Sequence, residues 1–140
     1  MLEVDFYDSI EEDSLLKFAV IISKHNNQWV FCKHKERNTY ECPGGHREDG
    51  ETINDTAKRE LWEETGAIKY DLKPVCIYAE VRDCIESFGM LYFADIYEFE
   101  KLPALEIEKI EFFATLPNEW TYPMIQPKLL EKAEQVLCAK

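Results

Sequence analysis

The pattern of apolar positions predicts a β-hairpin near the start of the chain. Residues 16–23 (LKFAVIIS) are an apolar run rich in branched side chains, which is typical of a buried strand. Residues 29–33 (WVFCK) form a second such run, and the HNNQ sequence between them predicts the turn. Later apolar runs predict three further strands, at residues 75–81, 90–99 and 110–114.

Residues 52–66 carry the strongest helical pattern. Ile53, Ala57 and Leu61 recur at intervals of four and form one apolar stripe. Thr52 is placed to cap the first turn in a capping box with Asp55, and Gly66 is placed to end the helix. A second helix is predicted to open at Pro123 or Pro127 and to run to about Cys138, with these residues on its apolar side: Leu129, Leu130, Ala133, Val136 and Leu137.

Strands that alternate with two well-separated helices predict an α/β fold with a mixed sheet covered on both faces. Between these elements, Pro43-Gly44-Gly45 is expected to break regular structure, and residues 101–108 are expected to form an acidic loop. The chain contains no internal repeat, low-complexity stretch or Gly/Ser/Pro linker. We therefore expect residues 1–140 to form a single domain.

Charge and hydropathy narrow the classes of partner. The 140 residues include 16 Lys and Arg and 28 Asp and Glu, which gives a formal net charge of −12. Such an acidic chain repels phosphate backbones, so we expect no nucleic-acid binding. No apolar run approaches the ~18–20 residues of a membrane span, and the N-terminal sequence lacks the basic and apolar regions of a signal peptide. The expectation is a cytoplasmic protein without a membrane partner.

The cysteines are predicted to be free thiols. There are five, an odd number, and no two form a C-x-x-C pair: Cys32, Cys42, Cys76, Cys84 and Cys138. In a reducing compartment such cysteines act mostly as small buried hydrophobic residues. A zinc site is not expected, because the ligand spacings are missing.

Three glutamates on the first predicted helix are the strongest candidates for chemistry. Glu60, Glu63 and Glu64 lie at positions i, i+3 and i+4, so one face of the helix carries all three. Like charges at this spacing repel, and the nearby C-terminus of the helix is the negative end of its dipole. A bound divalent cation would compensate for both effects, and oxygen ligands favour Mg²⁺, Mn²⁺ or Ca²⁺ over zinc. Arg59 is placed to hold Glu63 or Glu51, and a Gly45 carbonyl is available to complete the metal shell.

The order of these residues resembles the signature box of the Nudix hydrolases. Residues 45–67 (GHREDGETINDTAKRELWEETGA) match the family at every fixed position: Gly45, Glu51, Arg59, Glu60, Glu63, Glu64 and Gly66. Ala67 departs from the pattern, because the family usually has a larger aliphatic residue there.

The resemblance implies a Nudix-type three-layer α/β/α sandwich with a central mixed β-sheet. It also implies hydrolysis of a nucleoside diphosphate linked to another moiety, with Mg²⁺ or Mn²⁺ as cofactor. By motif match, Glu60, Glu63 and Glu64 would be the metal ligands, and the Gly45 carbonyl would complete the shell. Arg59 and Glu51 would orient those ligands. Because members of the family often pair, a homodimer is one expected arrangement.

The general base is also expected from the resemblance. Many members take it from a loop glutamate outside the box, and here Glu106 or Glu108 precedes the last predicted strand. We favour Glu106. If this stretch is extended, both side chains share one face, so geometry inferred from the sequence does not separate them.

The substrate is less narrowly defined. The short chain and residues 34–45 (HKERNTYECPGG) resemble the MutT-like group, which acts on nucleoside triphosphates, including oxidised ones. The expected reaction is cleavage of such a triphosphate to a monophosphate and pyrophosphate. ADP-ribose, a nucleotide sugar and a non-catalytic nucleotide-binding role remain alternatives. Candidate substrate contacts are Lys33, Lys35 and Arg37 for the outer phosphates, and Phe18, Phe31, Tyr40 and residues 120–122 for the base.

Overall fold

The computed structural model describes residues 2–9 and 12–138. Its helices are α1 (Ile53–Thr65) and α2 (Gln126–Cys138), and a short 3₁₀ turn spans Asp13–Leu15. The strands of the described chain are β1 (Leu2–Tyr7), β2 (Leu16–His25), β3 (Gln28–His34), β4 (Gly44–His46), β5 (Ala67–Arg82), β6 (Ile85–Phe99) and β7 (Ile107–Phe113).

These strands form one mixed sheet, as the sequence predicted. The order is β1-β5-β6-β2-β3-β7, and β4 pairs with β2 beside this path. β2 and β6 run parallel, whereas the other neighbouring pairs are antiparallel. The parallel pair lies at the centre of the sheet and is made of two of the predicted buried strands.

Each face of the sheet is covered by one helix, which confirms the predicted α/β/α sandwich. Ile21 of β2 packs in the core that contains α1, and the next residue, Ile22, packs in the core that contains α2. Adjacent side chains of a strand point to opposite faces, so a continuous apolar run fills both cores. The buried apolar residues of the helices are Ile53, Ala57 and Leu61 on α1 and Leu129, Leu130 and Ala133 on α2.

The ends of α1 are fixed by the predicted caps. The Thr52 side chain accepts a hydrogen bond from the Asp55 backbone, and the Asp55 carboxylate accepts one from the Thr52 backbone. Gly66 ends the helix in the left-handed conformation, with φ of 78°. The two caps fix where α1 begins and ends, and the three glutamates lie in its last two turns.

The prediction that Pro43-Gly44-Gly45 breaks regular structure was wrong for the two glycines. They lie in β4, where Gly44 pairs with Val20 and Gly45 with Ala19. A Cβ at Gly44 would collide with the Ala19 carbonyl oxygen, and one at Gly45 would lie 2.5 Å from the Glu60 carboxylate. The glycines therefore allow close approach of the backbone rather than a sharp bend.

Several strands differ from their predicted bounds. β1 was not predicted, β5 and β6 begin earlier than residues 75 and 90, and β7 begins at Ile107, inside the predicted loop. Of the cysteines, Cys32 and Cys42 are buried free thiols, Cys76 is partly buried and Cys84 is exposed, while the Cys138 side chain lies outside the described part. Within residues 2–9 and 12–138, no helix has the length and apolarity needed to cross a membrane.

Candidate active site

Arg59 is the centre of the candidate site. Its Nη1 donates to Glu60 Oε1 at 2.6 Å and to Glu63 Oε2 at 3.0 Å, so it bridges two turns of α1. Its Nη2 also donates to the His46 carbonyl oxygen at 2.9 Å, which ties α1 to β4. One guanidinium thus compensates for the repulsion between neighbouring glutamates that the sequence places on one helix face.

Glu51 holds Arg59 from the opposite side. Arg59 Nε donates to Glu51 Oε2 at 2.5 Å, and Arg59 Nη2 donates to Glu51 Oε1 at 3.0 Å. Glu51 Oε1 also accepts from the Thr56 hydroxyl and from the Glu48 backbone N–H. These bonds, those from Arg59 above all, lower the pKa of Glu51 to about 2. The box residue expected to orient the glutamates is therefore fixed by four donors.

Glu64 lies in a different electrostatic environment. It accepts a hydrogen bond from the Gly44 backbone N–H at 2.9 Å. Burial raises its pKa to about 9, and the nearby charges of Glu60, Glu41 and Glu106 act in the same direction. Burial also raises the pKa of Glu60, against the opposing effect of Arg59. Burial and the neighbouring carboxylates thus disfavour the ionised form of Glu64, and a cation bound beside it would favour that form.

The glutamates line one wall of a polar pocket of about 430 Å³. The β4 residues also line it, together with Leu105 and Glu106, which precede β7, and Ile107, the first residue of β7. The remaining polar lining residues are Glu48, Arg59, Glu60, Glu63 and Glu64. Among the residues that the structure describes, no three His, Cys, Asp or Glu side chains already converge as a metal site. Glu60 and Glu63 both contact Nη1 of Arg59.

A second pocket, of about 260 Å³, adjoins the first. It shares the β4 residues Gly44, Gly45 and His46 with the polar pocket. Its walls are mostly aromatic and aliphatic: Phe18, Ala19, Val20, Tyr78, Tyr122 and Ile125. Three polar side chains also reach it: Glu41, Glu80 and Gln126. The two pockets together make a cleft with an acidic half and a half suited to a flat apolar group.

Comparison with known proteins identifies the family. The NUDIX domain family model matches residues 15–116 of this chain. The chain belongs to the Nudix family. A Bacillus subtilis (strain 168) protein named "Putative 8-oxo-dGTP diphosphatase YtkD" is 34% identical over 100 residues, which are 71% of this chain and 62% of that protein.

Solved Nudix structures share the fold. The Bacillus subtilis pyrophosphohydrolase BsRppH, solved as a mutant, is 29% identical with a TM-score of 0.79, and the match covers 96% of this chain and 90% of that one. A UDP-X diphosphatase matches with a TM-score of 0.74 at 16% identity, over 94% of this chain and 66% of that one. The Nudix domain of Shewanella oneidensis NrtR, solved with ADP ribose, has a TM-score of 0.64 at 16% identity over 94% of both chains.

The structure brings together most of the predicted Nudix site. Gly45, Arg59, Glu60, Glu63, Glu64 and Glu106 all line the polar pocket, and Glu51 lies directly behind Arg59. It also separates the two candidate bases. Glu106 faces the pocket, with its Oε2 3.8 Å from His34 Nε2, whereas Glu108 forms an ion pair with Lys33 at 3.1 Å.

Three residues predicted to contact the substrate lie outside the lining of both pockets. Lys33 pairs with Glu108, and Arg37 Nη1 donates to Glu41 Oε1 at 3.2 Å. Tyr40 packs against Phe113 with ring centroids 5.1 Å apart. The described residues that line the two pockets do not include Lys33, Arg37 or Tyr40. Direct contact of these three with substrate stays a prediction, and Arg37 reaches the cleft through Glu41.

Sequence reasoning missed three polar residues of the apolar pocket. Glu41 stands four positions before the box glycine, Glu80 is on β5 and Gln126 opens α2. Glu41 and Gln126 are only 8% and 5% exposed. The available signal was a polar side chain, Glu41 or Gln126, next to apolar positions of a strand or helix. Only the folded topology places the two in one pocket.

Proposed function

We propose that this chain is a metal-dependent Nudix diphosphohydrolase that cleaves a nucleoside triphosphate, normal or oxidised at the base, to a monophosphate and pyrophosphate. The observation that carries the proposal is the junction of the two pockets at residues 44–46. An acidic pocket that suits metal ions and phosphates opens directly into a pocket of aromatic and aliphatic side chains. A nucleotide has the matching division into a charged chain and a flat base.

Glu60, Glu63, Glu64 and the Gly45 carbonyl would hold Mg²⁺ or Mn²⁺. Their hard oxygen donors fit these ions, and a cation beside Glu64 would offset the burial and the neighbouring charges that raise the pKa of its carboxyl. A bound divalent cation would supply positive charge that polarises phosphate oxygens. Arg59 holds Glu60 and Glu63 in place, and Glu51 in turn holds Arg59.

Glu106 would act as the general base. Its side chain is 79% exposed at the mouth of the polar pocket, so water and substrate reach it freely. In this role a Glu106 carboxylate oxygen accepts a proton from the attacking water. Glu108 is engaged with Lys33 and has no comparable position on the pocket.

The relatives support a nucleotide substrate. YtkD is named for 8-oxo-dGTP, and it is the relative with which this chain shares 34% identity. The UDP-X diphosphatase and the ADP-ribose-bound NrtR domain share the fold at 16% identity, so nucleotide sugars and ADP-ribose belong in the same substrate screen.

The test is a hydrolysis screen with purified protein and Mg²⁺ or Mn²⁺. Substrates are normal and oxidised nucleoside triphosphates, ADP-ribose, dinucleoside polyphosphates and nucleotide sugars. We expect the triphosphates to be cleaved fastest, and Glu63→Gln to lower kcat by at least ~100-fold, because a lost metal ligand costs several kcal/mol and each 1.36 kcal/mol is tenfold. If another class of substrate is cleaved faster, that class replaces nucleoside triphosphates as the assigned substrate. If no class is cleaved, the proposed activity is refuted.

A further inference from the structure

We propose that His34 is a positioning residue for the general base, and that its imidazole N–H holds the Glu106 carboxylate at the mouth of the polar pocket. The inference rests on the proposed function, because it takes Glu106 as the group that accepts a proton from the attacking water. It adds a residue that lies outside the signature box and outside the described lining of either pocket. The contact on which it depends joins His34 Nε2 and Glu106 Oε2, which are 3.8 Å apart.

The main chain brings the end of β3 against the residue that precedes β7. His34 pairs with Ile107, and the Lys35 backbone N–H donates to the Glu106 carbonyl oxygen at 3.0 Å. Glu106 therefore has a fixed backbone, but its side chain is 79% exposed. Such a carboxylate stays in one place only if a neighbouring side chain contacts it, because an exposed glutamate otherwise samples several rotamers.

A β-bulge separates Glu106 from the neighbouring glutamate, Glu108. The register of β3 on β7 shifts between Lys33 and His34, and Glu108 is the extra residue on β7. A bulge changes the direction of the side chains around it, so it breaks the alternation that would place both glutamates on one face. The Glu108 carboxylate contacts Lys33, and the Glu106 carboxylate lies beside His34.

The turn that follows β3 determines which ring nitrogen of His34 carries the proton. The Arg37 backbone N–H donates to the His34 carbonyl oxygen at 3.1 Å, which closes a four-residue turn. Within this turn, the Glu36 backbone N–H donates to His34 Nδ1 at 3.1 Å. A neutral imidazole has one acceptor nitrogen and one N–H, so an accepting Nδ1 leaves the proton on Nε2. The nitrogen that faces Glu106 is therefore a donor.

The charges of the pocket oppose the position that Glu106 needs. Burial raises the pKa of Glu60 and of Glu64, and the negative charge of Glu106 acts in the same direction at both. This mutual repulsion favours rotamers that turn an unrestrained Glu106 carboxylate out toward solvent. The present 3.8 Å separation from His34 is about 1 Å longer than a hydrogen bond, and rotation of the exposed Glu106 side chain closes it. A bond from His34 Nε2–H then offsets the repulsion.

The first test uses two variants that each keep one contact of the imidazole. His34→Asn keeps an oxygen near Nδ1 that accepts from the Glu36 N–H, but its side chain is too short to reach Glu106. His34→Gln keeps an N–H near the position of Nε2 but loses the contact within the turn. We expect His34→Asn to lower kcat at least ~10-fold with little change in KM, as for a lost hydrogen bond to a charged group. His34→Gln should stay within ~3-fold of the parent. Parental kcat in His34→Asn, or an equal loss in both variants, overturns the inference.

Two controls separate positioning from a loss of stability. Thermal melting shows that each variant folds, and His25→Asn makes the same change at the hairpin end of β2, where Nδ1 lies 2.8 Å from the Ile96 carbonyl oxygen. Its kcat should stay within ~2-fold of the parent, because the described pocket linings include neither residue. In a Glu106→Gln background, His34→Asn should cost less than ~2-fold more, because residues that act as a unit are not additive. A further loss of ~10-fold would show that His34 acts independently of Glu106, which overturns the inference.

Nuclear magnetic resonance separates this inference from the proposed activity. The chain has three histidines, so His34→Gln identifies the ring nitrogens of His34 by difference. At about pH 8, where an ordinary histidine is neutral, we expect Nδ1 to be unprotonated and Nε2 to be protonated. Glu106→Gln should move the Nε2 signal, and Glu108→Gln should not. An Nδ1–H tautomer, or a signal that Glu106→Gln leaves unmoved, overturns the inference.

The two proposals fail in different ways. A protein that cleaves no substrate in the screen refutes the proposed function, and the resonance experiment still decides whether His34 holds Glu106. If the enzyme is active and Glu106→Gln keeps the parental kcat, Glu106 is not the base, and the positioning role falls with that assignment. If Glu106→Gln is inactive and His34→Asn keeps the parental kcat, the base assignment stands and this inference alone is refuted.

Discussion

At the scale of single residues, Glu51 and Glu64 lie on two sides of the same cluster with opposite shifts in pKa. Hydrogen bonds from Arg59 lower the pKa of Glu51 to about 2, whereas burial raises the pKa of Glu64 to about 9. In the metal-free protein at neutral pH, Glu51 is therefore ionised and Glu64 retains its proton. The unfolded chain has no such environment, and its Glu64 ionises near the ordinary value of 4.5.

Because the pKa of Glu64 differs between the folded and unfolded states, Glu64→Gln should change how the stability of the protein depends on pH. Between about pH 4.5 and 9 the folded state holds a proton on Glu64 that the unfolded state has lost, so this residue makes the free energy of unfolding fall as pH rises. A glutamine side chain at position 64 does not titrate, and its carbonyl oxygen can still accept the hydrogen bond from the Gly44 N–H. In EDTA, we expect the variant to melt no lower than the parent at pH 5 and to gain over it steadily up to pH 9. Chemical denaturation at several pH values checks this. A constant difference across the range would contradict it.

The assignment of Glu106 is tested against Glu108. Glu106→Gln should lower kcat by ~10²–10⁴-fold, because a positioned general base contributes that much, while KM changes little. Glu108→Gln makes the same chemical change two residues away, at a side chain bound to Lys33, and should keep a rate within a few-fold of the parent. Steady-state kinetics of the two variants decides. If both keep parental rates, the base lies within the box, with Glu60 or Glu63 as the next candidates.

At the scale of elements, local signals decided which predictions were confirmed. The caps of α1 and the Asn26-Asn27 turn were readable, because Thr, Asp, Gly and Asn favour those backbone conformations. The turn between β5 and β6 uses Asp83-Cys84 with positive φ, a pair that gives little turn signal. Pro74 also obscured the length of β5, where the pairing with β6 shifts register next to it.

The first strand shows a signal that was present but not used. In β1, Leu2, Val4 and Phe6 are partly buried and alternate with exposed residues. This period of two is the mark of a half-buried strand. The acidic character of the N-terminal sequence concealed it. β4 had no such signal, since its glycines are explained by contacts with Ala19 and Glu60 that exist only in the folded chain.

Gly50 and Gly66, one on each side of α1, separate the cost of a positive φ from the cost of a steric contact. Gly50 and Gly66 both have positive φ, at 82° and 78°. A Cβ at Gly50 would meet no atom within 4 Å, whereas one at Gly66 would lie 2.6 Å from the Glu100 carbonyl oxygen. Gly50→Ala should lower the free energy of unfolding by about 1–2 kcal/mol for the conformation alone, and Gly66→Ala by about 2–4 kcal/mol because of the added contact. Urea denaturation of both proteins measures the difference. Equal losses would show that β6 and the following chain shift to make room.

At the scale of the whole molecule, the cleft is assembled from distant parts of the chain. The box supplies most of the lining of the acidic pocket, so the residues that a local pattern groups together lie together in the structure. The apolar pocket takes Phe18 from β2, Tyr78 from β5 and Gln126 from α2. These positions meet only because β4 pairs with β2 and because α2 covers the opposite face from α1. No local pattern contains that information, so the sequence did not indicate that Glu41, Glu80 and Gln126 line one pocket.

The excess of carboxylates in the polar pocket predicts that metal ions stabilise the whole protein. A ligand that binds only the folded state raises the free energy of unfolding by RT ln(1 + [L]/Kd). We expect millimolar Mg²⁺ or Mn²⁺ to raise Tm of the parent. Glu60→Gln should weaken that rise, because Glu60 lines the polar pocket and is one of the proposed metal ligands. Scanning calorimetry with and without each ion gives both shifts.

The control for this last prediction is an acidic residue far from the cleft. The net charge of −12 attracts cations everywhere, so a rise in Tm alone does not locate them. Glu131 is exposed on α2, on the opposite face of the sheet from α1, and Glu131→Gln removes the same single charge. It should leave the metal-dependent rise unchanged, while Glu60→Gln reduces it. Equal shifts in the parent, Glu60→Gln and Glu131→Gln would mean that the ions bind elsewhere on the acidic surface, and the ligand set would then have to be abandoned.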